Sequence, residues 1–310
     1  MASESPRFPA GVRIQKDVYP AIDPAETFAK QSYAGKVVLV TGASGGLGAV
    51  ASQFYARAGA SVALVARNVD KLKVIIAGVP GAEARMIALS VDVKNIRAAE
   101  DAVKQTVEKF GKLDILIANA GVMTSYTQTI LEKNPDVYWN TFEVNVKGAD
   151  TLQGVFTFIR AALPELQKTN GQVVAVSAGL AYMNVPNNSD YAISKLAVNR
   201  LVEFIPIEFH SVSAYALHPG VVETNMTTTV ELPASLPAMS EAYDTPELSA
   251  ATILHLTLGK TGWLNGRYYS ANWDIGDVEK LWKEKIVAEN ALVTQLAVPL
   301  WNLVAILPNH

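Results

Sequence analysis

The 310-residue sequence contains no cysteine. That absence excludes disulfides, thiolate nucleophiles and cysteine-ligated zinc, and it leaves the redox compartment open. Histidine is scarce as well. His210, His218, His255 and His310 show no metal-ligand spacing, so no metal is expected and all four read as structural or surface residues. No run of Lys or Arg exceeds two residues and the formal charge is -3, which leaves no electrostatic footprint for nucleic acid. The opening MASESPRFPAGVRIQKD lacks an apolar core, so no secretory signal is expected and the expected location is cytoplasmic. Residues 290–308 are apolar but interrupted by Pro299 and too mixed to span a bilayer. They read as a helix packed on the body or on a second subunit; attachment to a membrane surface is the weaker alternative.

What the chain does have is apolar content: 50% apolar residues against 18% charged, enough for a sizeable core. Residues 1–35 hold four of the 15 prolines without a sustained period and read as an arm laid on the surface or across a partner. From Lys36 the pattern changes. Short continuous apolar runs at 37–40, 61–66, 86–91, 113–118, 172–176 and 212–217 alternate with stretches that admit helices, one of them at 47–58. A further short strand is expected at 266–269. Such alternation implies an α/β fold, a doubly wound parallel sheet of the Rossmann kind in three layers, α/β/α. Right-handed crossovers then gather the carboxyl ends of all strands on one edge, where ligands bind. The expected division is an arm at 1–35, a catalytic domain at 36–270 and a helical extension at 271–310. Within the catalytic domain, the Thr- and Pro-rich residues 224–247 lack a period and read as a loop over the pocket.

Two groups of residues carry chemistry. The first is VLVTGASGGLG at 38–48, with Gly42, Gly46 and Gly48 between an apolar run and an amphipathic stretch. There the first glycine permits a sharp turn, the second admits a pyrophosphate to the backbone, and the third lets helix and strand pack closely. An NAD-specific site would place an acid about twenty residues further on, at the end of the second strand. That end reads Leu64-Val65-Ala66-Arg67-Asn68. Arg67 suits a 2′-phosphate through its planar fork, which points to NADP(H); a solvated surface arginine is the competing reading. The second group is Tyr191 and Lys195 in SDYAISK, four residues apart and on one face if the segment is helical to about Glu208. Ser189 is expected to cap that helix, with Asp190 in its first turn. A free phenol has a pKa of about 10, and bringing it to about 7 takes roughly 4 kcal/mol of differential stabilisation. A Tyr/Lys pair alone is usually surface decoration; together with the glycine turn it becomes a candidate proton shuttle.

On these motifs the chain resembles the short-chain dehydrogenase/reductase family over roughly residues 35–269. Thr41 to Gly48 matches T-G-x-x-x-G-x-G, and ANAG at 118–121 resembles N-N-A-G, with Ala118 in place of the first asparagine. Asp92 matches an acid that contacts adenine, Asn145 in FEVNVKG a helix-borne asparagine, and Tyr191/Lys195 the Y-x-x-x-K pair. Pro219-Gly220 with Thr224 resembles P-G-x-x-x-T. The resemblance implies cofactor contacts at Gly42, Ser44, Gly46, Leu47, Gly48, Arg67, Asp92, Asn119, Tyr191, Lys195, Pro219, Val222 and Thr224. It further implies that Tyr191 is the general acid/base, that Lys195 lowers its pKa and holds the nicotinamide ribose, and that Asn145 anchors a water linked to the lysine. A serine thirteen positions before the tyrosine should hydrogen-bond the substrate oxygen. Here Ala178 holds that register and Ser177 is the one hydroxyl nearby. Either a one-residue insertion lets Ser177 serve, or the hydroxyl is missing. The terminal extensions resemble members found in fungal secondary metabolism, and a homodimer or homotetramer is implied.

Met123, Tyr126, Tyr182, Met183 and the 224–247 loop are candidate pocket walls, apolar and aromatic, suited to a neutral hydrophobic ketone or alcohol. Three readings remain open: an oxidoreductase acting on a carbonyl or alcohol carbon, a same-fold isomerase or cyclase that keeps NADP(H) bound, and a non-catalytic NADP(H)-binding regulator.

Overall fold

A computed structural model describes residues 9–91, 97–147, 154–231 and 243–296. Its centre is a seven-stranded parallel sheet in the order β3-β2-β1-β4-β5-β6-β7. The strands are β1 (Val37–Thr41), β2 (Ser61–Ala66), β3 (Met86–Ser90), β4 (Ile115–Ala118), β5 (Gln172–Val176), β6 (Ser213–His218) and β7 (Arg267–Ser270). Each expected apolar run is a strand, with ends displaced by a residue or two. The middle strands have no solvent face: Val38, Leu39, Val40, Leu116, Ile117, Val173 and Val174 are all buried. That is why the sequence shows continuous rather than alternating apolar runs.

Helices cover both faces: α1 (Ala25–Ala29), α2 (Gly46–Arg57), α3 (Val69–Ala77), α4 (Ala98–Phe110), α5 (Pro135–Phe142), α6 (Val155–Thr169), α7 (Ser189–Glu208), α8 (Asn225–Thr229), α9 (Pro246–Thr257) and α10 (Ile275–Ala288). The strand order reverses between β1 and β4, so their carboxyl ends part and leave a crevice at the sheet edge. None of the helices among the described residues is long and apolar enough to cross a membrane.

One expectation narrows, to the arm laid on the surface, and two change. The described part of the arm lies on its own chain. Ile14 bridges Trp273, Arg13 pairs with Asp274 and Asp277, and the buried Tyr19 and Tyr33 hydroxyls donate to Trp273 O at 3.1 Å and Leu254 O at 2.6 Å. The 224–247 segment is not irregular at its ends: Thr224 and Thr227 cap each other at the start of α8, and α9 begins at Pro246 behind the cap Thr245. Its middle, 232–242, lies outside the described residues. The helix expected at 290–308 does not form over 290–296. Asn290 and Leu292 take left-handed φ of +47° and +63°, and Leu292 O accepts instead from Tyr268 N; residues 297–310 lie outside the described residues.

Candidate active site

The crevice opens into a cavity of about 1360 Å³. An ordinary small-molecule site occupies ~300–1,000 Å³, so there is room for a dinucleotide and a second ligand.

Its first wall is the turn between β1 and α2. Gly42 and Gly46 have φ of +65° and +52°, open to glycine and strained for other residues. A side chain on Gly46 would begin 2.8 Å from Thr224 Cγ2, and one on Gly48 only 2.4 Å from Gly42 O. Gly48 therefore does not line the cavity. It stands behind the turn and lets Asn119 reach in, where Asn119 Nδ2 donates to Thr41 O at 3.1 Å and Gly42 O at 3.2 Å. Thr41 Oγ1 accepts from Asn119 N at 3.0 Å and Ala120 N at 3.3 Å, which fastens the ends of β1 and β4 together. No side chain caps α2, whose first residues Gly46 and Leu47 face the cavity. This leaves backbone N–H groups and the positive end of a helix dipole free for a phosphate. Arg67 and Lys71 stand at the far rim, both exposed, beside Asn68, which caps α3. The Arg67 guanidinium has no hydrogen-bond or ion-pair partner among the described residues, while its backbone oxygen accepts from Ser90 Oγ at 3.4 Å. A glycine-rich cradle, an uncapped helix start and two rim cations fit a phosphorylated dinucleotide.

The opposite wall comes from α7. Tyr191 and Lys195 lie one turn apart, 7% and 2% exposed, and both face the cavity. Lys195 Nζ donates to Val176 O at 2.8 Å and lies 5.7 Å from the centre of the Tyr191 ring. Burial pulls the Lys195 ammonium down to about 8. It pushes the Tyr191 phenol above its usual range, and the nearby Tyr126 phenol pushes the same way. In the chain itself, desolvation thus opposes the phenolate.

Asn145 sits behind this pair, in a π-helical turn at Glu143–Lys147. Such turns insert one residue into a helix and re-aim its side chains. Asn145 Oδ1 accepts from Val122 N at 2.8 Å, while Nδ2 donates to Val122 O and Ser194 Oγ, each at 2.9 Å. A side chain on Gly121 would begin 3.2 Å from Asn145 Oδ1 and 3.3 Å from Lys195 Nζ, so the amide and the ammonium converge on one bare backbone position.

Ser177 lines the cavity, yet its Oγ donates to Lys195 O at 3.3 Å. Ser44, Pro219, Val222 and Thr224 also line it, as do Met123, Tyr126 and Met183. Tyr182 does not: its ring packs edge-on against Tyr268, 5.1 Å between centres. Ser189 is not the cap of α7 either. Asn188 holds that position without a side-chain hydrogen bond. Asp92 lies outside the described residues, as does His310.

Sequence reasoning missed four features. Lys71 follows Arg67 at the rim, a signal present in the spacing R-N-x-x-K. Lys16 brings the arm to the cavity wall. His218 lines the cavity with Nδ1 buried and unpartnered, and burial holds its pKa down to about 4. Finally, Lys133 Nζ and Asp190 Oδ1 form a buried ion pair at 2.7 Å beside the tyrosine. Asp190 Oδ2 also accepts from Thr124 Oγ1 at 2.6 Å and Thr141 Oγ1 at 3.1 Å.

The short chain dehydrogenase family model matches residues 36–234. The short chain dehydrogenase mpl6 of Monascus purpureus is 37% identical over 297 residues, covering 92% of this chain and 95% of that protein. The short chain dehydrogenase pigC of Monascus ruber is 32% identical over 90% of this chain and 91% of its own. Among solved structures, the KRED1-Pglu enzyme is 30% identical with a TM-score of 0.66, covering 76% of this chain and all of that one. An alcohol dehydrogenase from Thermococcus sibiricus, solved with 5-hydroxy-NADP, is 26% identical with a TM-score of 0.64, covering 76% of this chain and 95% of that one. With the glycine turn, the Tyr191/Lys195 pair and the sheet order in place, the chain belongs to the short-chain dehydrogenase/reductase family.

Proposed function

We propose that this enzyme is an NADP(H)-dependent oxidoreductase that moves a hydride between nicotinamide and the carbonyl or alcohol carbon of a neutral, hydrophobic small molecule. One observation carries the reading: the buried Tyr191 ring and Lys195 ammonium share a single cavity with the glycine turn. A bound nicotinamide supplies or accepts the hydride. Tyr191 gives a proton to the substrate oxygen in reduction and takes it back in oxidation. Lys195, anchored on Val176 O, holds positive charge beside that phenol. Thr41 and Asn119 keep the turn open for the pyrophosphate. NADP(H) over NAD(H) is supported by Arg67 and Lys71 at a strand end without an acid. Met123, Tyr126 and Met183 support an apolar substrate.

The test is NADPH oxidation followed by nicotinamide absorbance over a panel of aromatic and aliphatic ketones and quinones. Tyr191→Phe is expected to lower turnover by roughly 10²–10⁴-fold while the dinucleotide still binds; an undiminished rate removes Tyr191 from the chemistry. A second reading, a non-redox isomerase or cyclase that retains NADP(H), is favoured by Ala178 at the serine register. Product formed without net cofactor turnover selects it.

A further inference from the structure

A hydride arriving at a carbonyl carbon leaves negative charge on oxygen, and such charge is best met by more than one preorganised donor. Tyr191 is one. The end of β5 offers no second: Ser177 N donates to Leu217 O at 2.7 Å, its Oγ is turned onto Lys195 O, and Ala178 presents a methyl group. β5 runs straight into this turn, with Ser177 fourteen positions before Tyr191 and Ala178 at the thirteenth.

A second phenol lines the cavity. It belongs to Tyr126, which is 2% exposed and has its OH directed at Met123 Sδ, 3.1 Å away. A thioether is a weak acceptor, and the other group acting on this hydroxyl by hydrogen bonding is the buried side chain of Asn188, which lowers its pKa against burial. The loop that carries Tyr126 is fastened on both sides of the turn that carries Tyr191. Asn187 Nδ2 donates to Tyr126 O at 2.8 Å, and Thr124 Oγ1 donates to Asp190 Oδ2 at 2.6 Å. Asn187 holds a left-handed φ of +65° to do so, and Tyr126 N is tied to Glu231 O at 3.1 Å. Tyr126 also lies near enough to Tyr191 to add to the upward push that burial gives the Tyr191 phenol.

We propose that the Tyr126 hydroxyl, in place of a strand-end serine, donates the second hydrogen bond to the substrate's carbonyl oxygen. It stays protonated throughout, and the proton transferred is that of Tyr191. The assignment rests on the carbonyl chemistry proposed above.

The experiment uses full-length protein, NADPH and phenanthrenequinone. Tyr126→Phe is expected to lower kcat by roughly 10²–10³-fold, the scale for removal of one oxyanion donor, and by more than Ser177→Ala does. Ala178→Ser in the Tyr126→Phe background is expected to return at least about tenfold, since it restores a donor to the same oxygen. Wild-type kcat in Tyr126→Phe overturns the proposal. So does a loss that Ala178→Ser leaves untouched, which marks a structural role, or a loss seen with His218→Leu in its place. A readout without turnover separates this from the redox reading: the quinone's affinity for the NADP⁺-bound protein, expected to weaken about tenfold in Tyr126→Phe. Quinone binding that depends on Tyr126 in a protein that never oxidises NADPH sinks the redox reading and keeps this assignment. Oxidation and binding both indifferent to Tyr126 sink this assignment alone.

Discussion

In the proposed NADP(H) reading, Arg67 is the residue on which cofactor choice turns. It is exposed at the cavity rim, and no carboxylate among the described residues occupies its guanidinium. A bidentate phosphate contact is worth roughly 1.5–3 kcal/mol, or about 10–100-fold. Arg67→Asp is therefore expected to shift the ratio of kcat/KM for NADPH over NADH toward NADH by roughly that factor. An unchanged ratio would mean that Arg67 never meets the phosphate. At this scale much was legible in the sequence. Gly42, Gly46, Tyr191 and Lys195, picked out by motif, all line one cavity, because the close backbone approach and proton transfer proposed for them admit few other residues. Ser177 was not legible, because the direction of its hydroxyl depends on where the Lys195 carbonyl lies across the turn. His218 was hidden for a like reason: its neutrality comes from burial, which residue type does not encode.

At the scale of an element, the start of α7 decides whether Tyr191 is held in place. The expected Ser189 cap gives way to a stronger fastening. Asp190 is fully buried, and its ion pair with Lys133 is joined by Thr124 and Thr141. Burial alone would raise the Asp190 carboxyl; the hydrogen bonds from Lys133, Thr124 and Thr141 outweigh it and hold it below the usual value. Removing one partner of a buried pair costs about 3–5 kcal/mol, so Lys133→Met is expected to lose that much at neutral pH in urea denaturation. The sign with pH follows. A depressed carboxyl contributes stability above its unfolded pKa of about 3.9 and loses it as pH falls through the folded value. The gap between wild type and Lys133→Met should accordingly narrow below about pH 4; a gap independent of pH would assign the loss to packing. The pair escaped sequence reading because Lys133 and Asp190 are separated by two helices and a strand. The π turn at Asn145 escaped because FEVNVKG fits an ordinary helix equally well.

For the whole molecule, the parallel, doubly wound sheet was legible because continuous apolar strands alternating with helices admit few other arrangements. The path of the termini was not. Packing of an arm onto distant helices leaves no period in the sequence. Apolar side chains remain exposed on two neighbouring helices: Val137 and Trp139 on α5, and Ile193, Phe204 and Ile207 on α7, each between 41% and 64% exposed. This face supports the proposal that the protein is a homodimer or homotetramer. Light scattering after gel filtration should report twice or four times the chain mass, and Trp139→Glu with Ile193→Glu should shift it toward monomer. A monomeric wild type would remove the proposal.

The fastening of Tyr19 and Tyr33 into the region of α9, α10 and β7 has a consequence for synthesis. Residues near the amino end find their hydroxyl acceptors at Leu254 and Trp273, more than two hundred positions later. During translation they stay bonded to water until those acceptors emerge. Completion of the wall that Lys16 helps to form is thus postponed until the last third of the polypeptide has left the ribosome.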